Sequence, residues 1–166
     1  MEKTDWTAFE AVWDRVSAAS SPSPKKKAPT PAPSKEDASQ LRIFLQETSE
    51  AENAYRAAAG RTSLRWLKEL CEKLRRQKSI QTRRLQSAYF LLTGDTCPLP
   101  QKPEAGCPVL ELLRGRLLQE RSSAAAFHAA CKETGDMELS RLYRELAAEN
   151  TRSGELLRTA ISRLFR

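Results

Sequence analysis

Several familiar signatures are missing from this chain. No apolar run approaches the roughly 20 residues needed to cross a bilayer, so a membrane span is not expected. The opening residues, MEKTDWTAFEAVW, lack the basic patch and continuous apolar stretch of a secretory leader, and a cytoplasmic location is the expectation. The four cysteines, Cys71, Cys97, Cys107 and Cys131, never stand two residues apart, which excludes a zinc-ribbon knuckle. No Ser-His-Asp set, phosphate loop or Cys-His pair is visible, and the one histidine is His128.

What is present fits one domain with an arm. The 166 residues are 40% apolar, enough for a single core. Cys71 and Cys131 fall on apolar helix stripes, where a thiol behaves as a small hydrophobe. Cys97 and Cys107 share one loop and are within reach of each other, but a reducing cytosol favours free thiols. The net charge of +7 permits an anionic partner. Lys25, Lys26 and Lys27, and then Arg75, Arg76, Lys78, Arg83 and Arg84, carry much of it. Without interleaved aromatics or a nucleic-acid motif these read as a solvated basic face, and nucleic acid is a disfavoured partner.

The arm occupies residues 1–19. Trp6, Phe9, Trp13 and Val16 recur at steps of three and four and form one aromatic stripe of a short amphipathic helix. Such a helix either docks on its own bundle or serves as a docking peptide for another protein. Residues 20–36, rich in Pro, Ser, Ala and Lys, cannot build a core and read as an extended linker. Ser34 and Asp37 then give a helix-start signature. The bundle domain is set at residues 37–166, and from about Lys35 the chain reads as four long helices: Lys35 to Ala59 ending at Gly60, Thr62 or Ser63 to Leu92, Pro108 to Thr134, and Asp136 nearly to Arg166. Short turns make antiparallel hairpins of the first and last pairs, and the Pro-containing stretch 94–107 is long enough to cross the bundle between them. The fold class is therefore all-α, a four-helix bundle of two antiparallel hairpins joined by a long crossover.

Each helix has an inward stripe that is apolar at both ends and polar in the middle. The interruptions are Thr48 and Glu52, then Lys78 and Gln81, then Glu120, then Asn150 and Ser153. An unpaired buried charge costs several kcal/mol, so four interruptions at similar depth predict a shared polar layer, with Glu52, Lys78 and Glu120 as its charged members.

The segments RRLQSAYFLLTGDTCP (83–98), ERSSAAAFHAACKET (120–134) and LYRELAAENTRSGELLR (142–158), in this hairpin–crossover–hairpin order, resemble the ferritin-like superfamily. The likeness is to the small bacterial rubrerythrin-like bundles and spans roughly residues 38–165. It implies two metal ions held by a Glu from helix one, a Glu from helix three, and Glu-x-x-His from helices two and four. Here Thr48 stands at the helix-one position, seven residues before Tyr55, and Glu120 at the helix-three position, seven before Phe127. Lys78 and Gln81 occupy the pair on helix two, and Asn150 and Ser153 the pair on helix four. Five of the six implied ligands are absent. A dication about 4 Å from the Lys78 ammonium would be repelled by on the order of 8 kcal/mol at an effective dielectric near 20. Lys78 is instead the expected partner of Glu120, with Glu52 a further candidate.

The expectation is a pseudoenzyme: a non-catalytic ferritin-like domain with no cofactor, used as a scaffold or as an interaction module for an unknown protein through its arm. The alternatives are an iron or manganese oxidoreductase or iron-handling protein with a non-standard site, drawing on Glu47, Glu50, Glu52, Glu120 and His128, and a basic nucleic-acid-binding relative. A homodimer is the oligomeric state that the resemblance implies.

Overall fold

The computed structural model describes residues 35–99 and 106–165. The arm residues Trp6, Phe9, Trp13 and Val16, and all of the linker before Lys35, lie outside the described residues. Four helices follow one another: α1 Lys35–Arg61, α2 Arg65–Thr93, α3 Val109–Glu133 and α4 Met137–Leu164. No strand occurs among the described residues.

Their boundaries have local causes. Gly94 ends α2 in the left-handed region at φ 76°, and its N–H bonds the Phe90 carbonyl at 2.8 Å, a conformation that costs glycine nothing. Asp136 caps α4, its carboxylate accepting from the Glu138 and Leu139 N–H groups at 2.8 and 3.0 Å. Removing that cap in Asp136→Ala is expected to lower stability by about 1 kcal/mol, measured by urea unfolding; an unchanged midpoint would contradict the assignment. One sequence expectation needs adjusting. Helix α1 runs through Gly60 to Arg61, because glycine weakens a helix without having to end it. Its start at Lys35 is where the helix-start signature of Ser34 and Asp37 places it.

The helices pack as two hairpins, α1 with α2 and α3 with α4, with further contact between α1 and α3 and between α2 and α4. The described ends of the link between the hairpins lie at opposite ends of the bundle. Cys97, just after α2, is buried with Leu41, Leu45, Leu85, Phe127 and Tyr143. Cys107, just before α3, packs on the other half-core, with Tyr55, Leu67, Cys71 and Leu113, and its carbonyl accepts from Arg61 at 3.2 Å. Helices α2 and α3 are therefore parallel, and the two loop cysteines sit at opposite ends instead of approaching each other. All four cysteines are free thiols.

Two apolar half-cores result. One is led by Tyr55, Leu67, Leu74, Leu113 and Leu157. The other holds the Phe44, Phe127 and Tyr143 rings, with Phe44 and Phe127 centred 4.2 Å apart and Tyr143 edge-on to Phe44 at 5.4 Å. Between them the buried residues turn polar: Thr48, Lys78, Gln81, Thr82, Glu120, Ser123, Asn150 and Ser153. No described helix is long and apolar enough to cross a membrane.

Candidate functional site: a buried cation between two half-cores

Lysine is seldom buried unless its charge and protons are matched. The Lys78 side chain is 3% exposed and that of Glu120 is 0% exposed, and Lys78 Nζ lies 2.8 Å from Glu120 Oε2. The ammonium has three protons to give, and it finds three acceptors: Glu120 Oε2 at 2.8 Å, Asn150 Oδ1 at 2.8 Å and Gln81 Oε1 at 3.1 Å. Each sits on a position fixed by helical geometry. Gln81 is one turn after Lys78 on the same face, Glu120 comes across from α3, and Asn150 from α4. The other carboxylate oxygen of Glu120 accepts from the Tyr55 hydroxyl at 2.8 Å, so every helix contributes to one buried network.

The network continues to the surface between α2 and α4. Gln81 Nε2 donates to Asn150 Oδ1 at 3.2 Å and to Glu149 Oε2 at 2.7 Å. Glu149 Oε1 accepts from Arg84 at 3.1 Å, and Arg84 also pairs with Glu145. On the other side, Arg116 Nη2 lies 3.7 Å from Glu120 Oε1, and its guanidinium stands 5.8 Å from the Tyr55 ring centre. Its Nε is buried without a partner.

Burial shapes the acid–base behaviour of these groups. Desolvation pushes the Lys78 ammonium below the ordinary lysine range, and the Glu120 charge opposes that shift. The Tyr55 hydroxyl is held well above the usual tyrosine range, first by burial and then by the Glu120 charge, so it stays a proton donor.

The residues singled out in the sequence are placed as follows. Lys78, Gln81, Glu120 and Asn150 meet in the network. Thr48 is buried at 5% exposure at the same level of α1. Ser153 is buried but bonds the Glu149 carbonyl at 3.0 Å and Gln77 Oε1 at 3.4 Å. Glu52 is a correction: it is half-buried and pairs with Arg56 at 3.0 Å and Arg75 at 3.8 Å, away from Lys78. The next inward position after Thr48 is Ala51, three residues on, where the sequence reading stepped four. Glu47 meets Ser123 at 3.4 Å, Glu50 meets Gln46 at 3.1 Å, and His128 is exposed. Tyr55, Arg116 and Glu149 were not assigned to the network from sequence. The signal for Arg116 is its position four residues before Glu120, a neighbour on the same helix face.

This donor set does not fit a metal pair. It offers one carboxylate, two amides and an ammonium that already fills the centre. Among the described residues no three His, Cys, Asp or Glu side chains group to hold an ion.

The cysteines give a separate check on packing. Burial pushes the Cys71 thiol up to about 11. The Cys131 thiol, only half-buried, is drawn below its ordinary value first by its hydrogen bond with Ser140, 3.3 Å away. Cys131 is expected to react with iodoacetamide on the order of a hundredfold faster than Cys71, read by peptide mapping; equal rates would contradict the packing of α2.

No family model matches the chain, and no curated protein matches it. Solved structures do. A hypothetical protein from Pyrococcus furiosus superposes with a TM-score of 0.70 at 19% identity, covering 77% of this chain and 89% of the other. CopM in its Cu(II)-bound form superposes with a TM-score of 0.64 at 11% identity, covering 77% of this chain and 97% of the other. These likenesses show the four-helix fold. The copper is a feature of CopM alone.

Proposed function

We propose that this bundle is a non-catalytic relative of the ferritin-like and rubrerythrin-like proteins, in which a lysine of the chain has taken the place of the metal cation, and that it acts as a scaffold or protein-interaction module. The observation that carries the reading is the Lys78 ammonium at the centre of the bundle, with Glu120, Gln81 and Asn150 as its three acceptors. In a metal-carrying bundle the carboxylates would require an external cation for charge balance. Here one carboxylate and one built-in ammonium neutralise each other, and amides supply the remaining contacts.

The reading leaves the outer surface as the working part. The four-helix core is suited to presenting a surface or carrying a tethered docking segment.

The test is metal analysis of protein purified from cells supplemented with iron and manganese, followed by anaerobic ferrous titration. Metal at background and a featureless titration are expected. Stoichiometric metal that is lost in Glu120→Ala would restore an oxidoreductase or iron-handling role.

A further inference from the structure

The two seams that α4 makes with its neighbours differ in charge. Toward α2, its acids Glu145 and Glu149 hold Arg84. Toward α3 lies a pocket of about 240 Å³, lined by Arg121 and Ala124 of α3 and by Thr151, Gly154, Glu155 and Arg158 of α4. Among the described residues, neither the Arg121 nor the Arg158 guanidinium has a hydrogen-bond or ion-pair partner. Glu155 stands three residues before Arg158, a spacing at which helical ion pairs form, yet the two are not joined. Thr151 donates its hydroxyl proton to the Ala147 carbonyl at 2.9 Å, so the arginines are the donors that the pocket offers.

Gly154 keeps this space open. A glycine in mid-helix costs stability relative to alanine, and close packing does not call for it here. A Cβ at that position would meet Arg121 Cγ, Glu120 Cβ and Leu117 Cδ1 at 3.9 Å each, which is ordinary contact. The missing methyl is room left beside the Arg121 stem.

We infer that this pocket binds hydrogen phosphate, with Arg121 and Arg158 donating to its oxygens and Glu155 accepting its remaining proton. Guanidinium groups present planar pairs of N–H donors that match the oxygens of phosphate. Two guanidiniums and one carboxylate leave the pocket with a net positive charge, which draws an anion in. Glu155 then selects among anions. An ionised carboxylate is an acceptor only, so it meets an anion favourably only through a proton that the anion still carries. Hydrogen phosphate keeps one near neutral pH, and sulfate has none. A phosphomonoester has mostly lost its own by then, its second pKa being about 6. Free phosphate is therefore favoured over both.

The site uses none of the hydrogen bonds around Lys78, so the inference stands or falls separately from the scaffold reading, which metal content tests. The experiment is a titration of the full chain with sodium phosphate at neutral pH, followed in two-dimensional amide NMR spectra in a chloride buffer of constant ionic strength. Saturable shifts centred on the Ala124, Thr151 and Gly154 amides are expected. Sodium sulfate and methyl phosphate are expected to bind about tenfold more weakly, the worth of one charge-assisted hydrogen bond. Arg121→Gln and Arg158→Gln are each expected to weaken phosphate binding by a similar factor, and both residues are exposed, so the core is left unchanged. Arg152→Gln, at an exposed arginine of α4 outside the pocket, is expected to bind as the wild type does. Glu155→Gln is expected to erase the preference for phosphate over sulfate. The absence of saturable shifts, or shifts scattered over the other exposed arginines, would overturn the inference. So would sulfate or methyl phosphate binding as tightly as phosphate, or an equal loss in Arg152→Gln.

Discussion

Lys78→Met is expected to lower the unfolding free energy by about 3–5 kcal/mol, a large share of the roughly 5–15 kcal/mol that holds a domain together. The substitution roughly conserves side-chain length, so little of the loss comes from a cavity. It comes from Glu120, which has a fully buried side chain and would be left charged with only the Tyr55 hydroxyl and the more distant Arg116 to answer it. Gln81 Oε1 and Asn150 Oδ1 would also lose their shared donor. Denaturant unfolding of the wild-type and variant chains reads this effect. A loss below about 1 kcal/mol, the range of exposed pairs, would mean that the pair is hydrated and not a core element.

The second large effect is a gain. Lys78→Glu would set an introduced carboxylate against Glu120 in a site with no room for two unpaired negative charges. Two like charges in contact are relieved either by a shared proton or by a cation. With Gln81 and Asn150 oxygens already pointing inward, the variant is expected to bind a divalent ion such as Mn²⁺ or Fe²⁺. Its stability should then climb with metal concentration, by about 2.7 kcal/mol at one hundred times the dissociation constant. The wild-type midpoint should not move. Thermal unfolding across a manganese series, with isothermal titration alongside, reads both. A wild-type chain stabilised as much as the variant would show that Lys78 does not stand in for the metal.

Much of this was legible from residue order. Lys78 and Gln81 are three apart on a stripe of leucines, and Asn150 and Ser153 repeat that spacing on α4. Because no such stripe tolerates charge without a partner, a polar layer was predictable before any coordinates. The hairpin–crossover–hairpin order followed from two short turns and one long Pro-containing link. Other parts were hidden by the helical period. After Thr48 the inward face falls between three and four residues on, and only packing decides for Ala51 over Glu52. For the same reason α1 buries both of the adjacent residues Phe44 and Leu45, which a single stripe does not separate. The direction of the Tyr55 hydroxyl depends on how close α3 brings Glu120. The path through Gln81, Glu149 and Arg84 needs the α2–α4 distance, which no single helix encodes. Ser153 shows the converse. It holds the implied position, yet its hydroxyl is taken up by the Glu149 carbonyl of its own helix, a local choice common for serine in helices.

A buried pair need not add net stability over a well-packed apolar core. It costs desolvation, and its worth lies in how strongly each partner depends on the other. The most direct test of the substitution of an ammonium for a metal is therefore a double-mutant cycle on Lys78→Met and Glu120→Leu by equilibrium unfolding. The account predicts that each single variant is strongly destabilised and that the double variant recovers much of the loss, with a coupling of about 2–3 kcal/mol. Losses that simply add would contradict it, for they would mean that Lys78 and Glu120 are neighbours without being each other's counter-ion.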